Sequence, residues 1–227
     1  PANSAGPSIV VDVKTGSVLE HNQAFQRWYP ASLTKLMTAY VVFRQIQSGK
    51  LTLQSPVTMS AIAAKEPPSK MYYKPGSQLS LDNAMKIILV KSANDVSVAI
   101  AESVAGSHER FVQMMNAEAK RLGMLDSRFV NANGLPGKGQ RTTARDMAVL
   151  GVALRRDFPQ YAHYFAIEAI STGKKTYSNY NILIGRFAGA NGMKTGFICA
   201  SGFNQVSSAT RNGRTVVSVV FGAASQE

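Results

Sequence analysis

The sequence contains a single cysteine, Cys199, among 227 residues. That excludes an intrachain disulfide framework and any zinc site built on several thiolates. Its three histidines, His21, His108 and His163, stand in no H-x-x-x-H or H-x-E arrangement, so zinc hydrolase chemistry has no support and neither a metal nor a cofactor is expected. There is no G-x-S-x-G elbow and no Gly-x4-Gly-Lys-Ser/Thr phosphate loop. Apolar runs are short: Ile87 to Val90 and Thr215 to Ala224 fall well below the roughly 20 residues that cross a bilayer. Neither a Gly-x-y period nor a longer repeat occurs, which removes collagen-like and solenoid architectures. Acidic residues are scarce, 13 against 25 Lys and Arg, giving a formal charge of +12. Such a field favours an acidic partner or surface and says nothing of chemistry.

What is present describes a globular chain with one substantial core, 45% hydrophobic and 17% charged. It begins at Pro1 without a Met or an apolar leader, which suggests a processed or trimmed start. Ser8 to Val13 and Val18 to Glu20, joined by Lys14-Thr15-Gly16-Ser17, read as a hairpin. Leu33 to Gln47 carries apolar residues at three- and four-residue steps and reads as a helix ended by Gly49. Helical patterns then dominate, near Leu81 to Val90, Asn94 to Val104, His108 to Leu122 and Thr143 to Arg156. Pro67-Pro68, Lys74-Pro75-Gly76 and Asn131 to Gly139 supply the loops between them. Strand patterns return at Gly192 to Cys199, Gly202 to Thr210 and Thr215 to Gly222, with Asn212-Gly213 marking a tight turn. The expected fold class is α+β: an antiparallel sheet from about 1–59 and 160–227, with a helical subdomain from about 60–159 inserted.

Three short motifs could carry chemistry. Ser32-Leu33-Thr34-Lys35 sits at a helix start, where a spacing of three puts a hydroxyl and an amine on one face, near enough to exchange a proton. The amine acts as a base only if burial or a second cation depresses its pKa. Alone, this is also what ordinary helix initiation looks like. Ser92-Ala93-Asn94 falls at a break between two helical segments and offers a hydroxyl for proton relay and an amide for a substrate carbonyl. Lys194-Thr195-Gly196, on an expected strand, offers a second cation, a hydroxyl for a carboxylate, and a glycine that lets substrate backbone lie close. Each has a plain reading as a cap or a turn, and Lys14-Thr15-Gly16 repeats the last tripeptide. All three in this order, each on the element its role needs, are far more specific.

Together with Lys74-Pro75-Gly76, Lys91 to Asp95, Asn133-Gly134-Leu135-Pro136, Ala144 to Ala148 and Gly192-Met193, these motifs resemble serine-type D-alanyl-D-alanine carboxypeptidases. Those are the low-molecular-mass penicillin-binding proteins of peptidase family S11. The resemblance runs from about Ser8 to Ala224 and implies a β-lactamase/transpeptidase-like fold whose site lies between sheet and helices. It makes Ser32 the acylated nucleophile and Lys35 its base, with Ser92 and Asn94 in proton relay and substrate positioning. Lys194, Thr195 and Gly196 would bind a terminal carboxylate, and the backbone N–H groups of Ser32 and Phe197 would form the oxyanion hole.

The resemblance further implies a stem peptide of peptidoglycan ending in D-Ala-D-Ala as substrate, β-lactams as covalent inhibitors, no nucleic-acid partner and an extracytoplasmic, periplasmic location. Family members often continue beyond the last strand, so membrane association is expected only through segments outside these residues. Cross-link endopeptidase action uses the same residues. A class A β-lactamase shares the motifs, but no E-x-x-L-N follows Ser92. A basic cell-wall-binding module explains the charge and not the motifs.

Overall fold

In the computed structural model, which describes residues 6–226, the two ends of the chain meet in one antiparallel sheet. Its strands are β1 (Ser8–Asp12), β2 (Val18–Asn22), β7 (Ala190–Ile198), β8 (Gly202–Arg211) and β9 (Arg214–Ala223), in the order β2-β1-β9-β8-β7. The β8–β9 turn is Asn212-Gly213, both with positive φ, 50° and 72°. That matches the twist of the flanking strands and explains why Asn-Gly stands there. Ile9, Val11, Val206, Val217, Val219 and Phe221 point to one face and are buried.

Helix α5 (Ala144–Asp157) covers that face, packed on β1, β8 and β9. Gly151 lets it approach, since a Cβ there would lie 2.9 Å from Val217 Cγ1. Helix α5 thus packs on the sheet on one side and also meets α1, joining the two layers.

Helix α1 (Thr34–Gln47) runs through the middle and touches every other helix. Its first ten residues are all buried, as a helix surrounded by protein must be. Around it lie α2 (Leu81–Val90), α3 (Asn94–Ala105) and α4 (His108–Arg121). Ser80, Ser107 and Thr143 cap α2, α4 and α5 by accepting the N–H of Asn83, Arg110 and Asp146. Phe43 of α1 stacks on Tyr161 at 4.4 Å and edges onto Phe165; truncating so buried a ring to Ala costs about 3–5 kcal/mol.

Two small hairpins complete the chain: β3 (Pro56–Thr58) with β4 (Gln78–Ser80), and β5 (Ala169–Thr172) with β6 (Lys175–Ser178). Neither was expected from the sequence. Among the described residues no helix is long and apolar enough to cross a membrane.

Candidate active site

Ser32 lies in a 3-10 turn, Ala31–Leu33, that leads into α1. Ala31 takes φ +46°, a left-handed conformation that costs a non-glycine residue about 1–2 kcal/mol. Tertiary packing imposes it. Gly134 presses on the Ala31 carbonyl so closely that a Cβ there would overlap the oxygen, and a Cβ on Gly196 would lie 3.0 Å from Ser32 N. The serine backbone is thus held between the 131–135 loop and strand β7, with its side chain facing a cavity of about 370 Å³.

Lys35 is fully buried beneath it. Its Nζ lies 3.0 Å from Ser32 Oγ, 2.9 Å from Asn94 Oδ1 and 2.6 Å from the Asn133 carbonyl oxygen. Asn94 Nδ2 donates to the Pro67 carbonyl at 3.0 Å, which turns its oxygen toward Lys35. A neutral amine has two N–H bonds and one lone pair. Both carbonyl oxygens can only accept, so they take the two N–H bonds and leave the lone pair for the one partner able to donate, the Ser32 hydroxyl. Burial, first, and the Lys194 charge, second, push the Lys35 ammonium far below its ordinary range, against the pull of Asp95 and Glu66. The protonated form is thereby disfavoured, and the unprotonated amine faces Ser32 Oγ.

Lys194 is nearly as deeply buried, and burial pushes it down to about 7. Its Nζ donates to Ser92 Oγ at 3.1 Å and to the Thr195 carbonyl at 2.8 Å. Ser92 stands between α2 and α3 with φ +58°. Ser32, Ser92, Asn94, Thr195, Gly196 and Phe197 line the same cavity, and Lys35 and Lys194 support it from below. All eight residues singled out from the sequence therefore converge. Phe197 is half exposed at the mouth, its ring 4.6 Å from that of Phe203.

Several contributors were not anticipated. Asn133 acts through its backbone oxygen, and its side chain donates to Glu66 at 2.8 Å. Asp95, with no exposed surface, accepts from the N–H groups of Met71, Tyr72 and Val96 and so ties the 67–72 segment to the start of α3. A slightly larger depression of about 410 Å³ opens on the outer face of β8 and β9, lined by Phe203, Val216 and Val220; it holds no serine paired with a buried amine. Among the described residues no group of three or more His, Cys, Asp and Glu converges to hold a metal ion.

The family model described as D-alanyl-D-alanine carboxypeptidase, peptidase S11, matches residues 1–225. The chain belongs to peptidase family S11. Its S11 relatives include the D-alanyl-D-alanine carboxypeptidase DacC of Escherichia coli K12, 38% identical over 98% of this chain. The chain spans 58% of that relative's length. Among solved structures, penicillin-binding protein 6B of Escherichia coli superposes with a TM-score of 0.93 at 36% identity, covering 99% of this chain and 73% of that one. Penicillin-binding protein D2 of Listeria monocytogenes, in a cefotaxime-bound form, superposes with a TM-score of 0.88 at 28% identity, covering 98% and 91%. The S11 fold is therefore present through the whole described chain.

Proposed function

We propose that this chain is the catalytic domain of a serine DD-carboxypeptidase, residues 1–227 acting as one unit, which removes the terminal D-Ala from peptidoglycan stem peptides. The observation that carries the reading is the Lys35 amine, whose two carbonyl partners leave its lone pair on Ser32 Oγ. Ser32 Oγ attacks the carbonyl of the penultimate D-Ala and passes its proton to Lys35 Nζ. The backbone N–H groups of Ser32 and Phe197 hold the oxyanion. The C–N bond to the terminal D-Ala then breaks, and its nitrogen takes the proton that Lys35 accepted, relayed through Ser92 Oγ beside Lys194, which returns Lys35 to its unprotonated form. Water hydrolyses the ester, again with Lys35 as base, and regenerates the serine.

Lys194 and Thr195 receive the terminal carboxylate, and Gly196 leaves room for substrate backbone along β7. A β-lactam offers the same carbonyl and carboxylate and acylates Ser32; a relative with bound cefotaxime supports this. The names of the carboxypeptidase relatives support the substrate class. An extracytoplasmic location follows from a cell-wall substrate, and the +12 charge suits retention on an anionic wall.

The test is mass spectrometry of the protein mixed with a fluorescent penicillin, alongside D-Ala release from a stem pentapeptide. An adduct on Ser32 and free D-Ala are expected, both lost in Ser32→Ala. Undiminished labelling of Ser32→Ala would exclude that serine as nucleophile.

A further inference from the structure

The cleft where Ser92 meets Lys194 is bordered by a contact that the chemistry above does not use. Lys91, the residue after α2, places its Nζ 3.1 Å from Tyr180 Oη, and 5.1 and 5.6 Å from the ring centroids of Tyr177 and Tyr180. Tyr180 lines the cleft with Ser32 and Thr195, whereas Lys91 stands behind it.

The tyrosine's backbone is fixed by its neighbour Asn181, nearly fully buried, which donates to the Gly192 carbonyl at 3.0 Å and accepts from Gln205 Nε2 at 2.9 Å. The tyrosine is thus anchored through its chain neighbour, and a cation from the helical side engages its hydroxyl and its ring.

Position along the cleft gives this wall a meaning. Lys91 adjoins Ser92, whose hydroxyl touches Lys194, and Asn181 bonds to Gly192, two residues before Lys194. On the carboxypeptidase reading, on which this inference rests, that is the half occupied by the leaving group. A leaving D-Ala is a methyl and a carboxylate and ends there. In a cross-linked peptide the same C–N bond joins the carbonyl to an amine of a second stem, so the leaving group is longer: it extends from the carbon that in D-Ala carries the methyl, in the cleft that Tyr180 lines.

We propose that Tyr180, braced by Lys91, is a specificity-determining wall that restricts the leaving group to a single terminal residue and disfavours cross-linked stems. The bond broken and the residues that break it are the same for both substrates; only access differs.

The experiment compares kcat/KM for D-Ala release from a stem pentapeptide with kcat/KM for cleavage of a purified cross-linked muropeptide dimer, in wild type, Tyr180→Ala and Lys91→Met. Removing the ring is expected to raise the ratio of dimer cleavage to D-Ala release about tenfold. Lys91→Met keeps the ring and frees its position, and is expected to raise the ratio severalfold less. A ratio within twofold of wild type in Tyr180→Ala, or one that falls, overturns the wall. Penicillin labelling of each variant reports a folded site, and if Tyr180→Ala is not labelled the Lys91→Met ratio decides. Failure of wild type to release D-Ala at all would instead sink the carboxypeptidase reading, and the two failures are distinguishable.

Discussion

Lys35 Nζ and Ser32 Oγ lie 3.0 Å apart, and the other two hydrogen-bonding directions of the amine end on carbonyl oxygens. A proton can therefore move from the hydroxyl to the amine with no rearrangement of either side chain. Replacing Lys35 with Arg puts a permanent cation there and loses the base, because a guanidinium stays protonated at working pH. Acylation by penicillin is expected to fall by about 10²–10⁴, the usual contribution of a positioned base. Stopped-flow labelling checks it, and a rate within threefold of wild type would move the role to another group.

Lys194 carries a pH signature with a defined sign. Its ammonium is held near 7 in place of the ordinary 10.5. Between those values the unfolded chain binds the extra proton and the folded chain does not, so this residue makes stability rise with pH, by up to about 1.4 kcal/mol per unit. Lys194→Met removes that slope. It also removes two hydrogen bonds, at about 1 kcal/mol each. Net stabilisation on the order of 2 kcal/mol at pH 7 is expected, shrinking by pH 9.5, together with loss of D-Ala release. Denaturant unfolding of both proteins at the two pH values checks it; a variant less stable than wild type at pH 7 would contradict it.

Gly134 is the second backbone on which the nucleophile depends. Its φ is +89°, and a Cβ there would collide with the Ala31 carbonyl. Gly134→Ala is expected to cost about 1–3 kcal/mol in stability from the backbone conformation alone. It should also slow acylation more than tenfold, because relief of the clash displaces Ser32 from Lys35. Acylation at the wild-type rate would show that the turn tolerates the shift.

The architecture, and the gathering of the eight candidate residues around one cleft, could be expected from the sequence because most of them rest on a local signal and Phe197 on the family resemblance. Asn212-Gly213 fixes one hairpin, apolar spacing fixes the helices, and Ser32, Ser92 and Lys194 sit inside recognisable tripeptides and tetrapeptides. What escaped was set by tertiary contact. Ser32 occupies a 3-10 turn and not the first α-helical turn, because Gly134 and Gly196 force Ala31 to positive φ. Asn133 contributes a backbone oxygen, which no residue type announces. The three-residue strands β3 and β4 are too short to alternate, and α5 shows a stripe without showing which layer receives it.

Among the described residues, those that line the cavity include no carboxylate. A water attacking the penicilloyl ester on Ser32 has Lys35 as its base and no second one, so hydrolysis is expected to lag far behind acylation. After removal of free drug, the adduct on wild type should persist for many minutes by mass spectrometry. Turnover of a chromogenic cephalosporin at steady rate, without a stoichiometric burst, would point instead to a β-lactamase.

Thr195 tests whether the cationic end of the cleft recognises a terminal carboxylate or simply attracts anions. Its side chain lines the cleft beside Lys194, which is almost without exposed surface. A charge-assisted hydrogen bond in such a place contributes about 1.5–3 kcal/mol, or roughly ten- to a hundredfold in rate if it forms in the transition state. A field from surface charge gives less and is screened by salt. Wild type is expected to cleave diacetyl-Lys-D-Ala-D-Ala much faster than the same peptide amidated at its C-terminus, at moderate ionic strength. Thr195→Val should erase much of that preference by slowing the acid and leaving the amide rate close to its starting value. Equal wild-type rates on acid and amide would remove the carboxylate from the recognition scheme, and with it the reason for a buried cation beside Ser92.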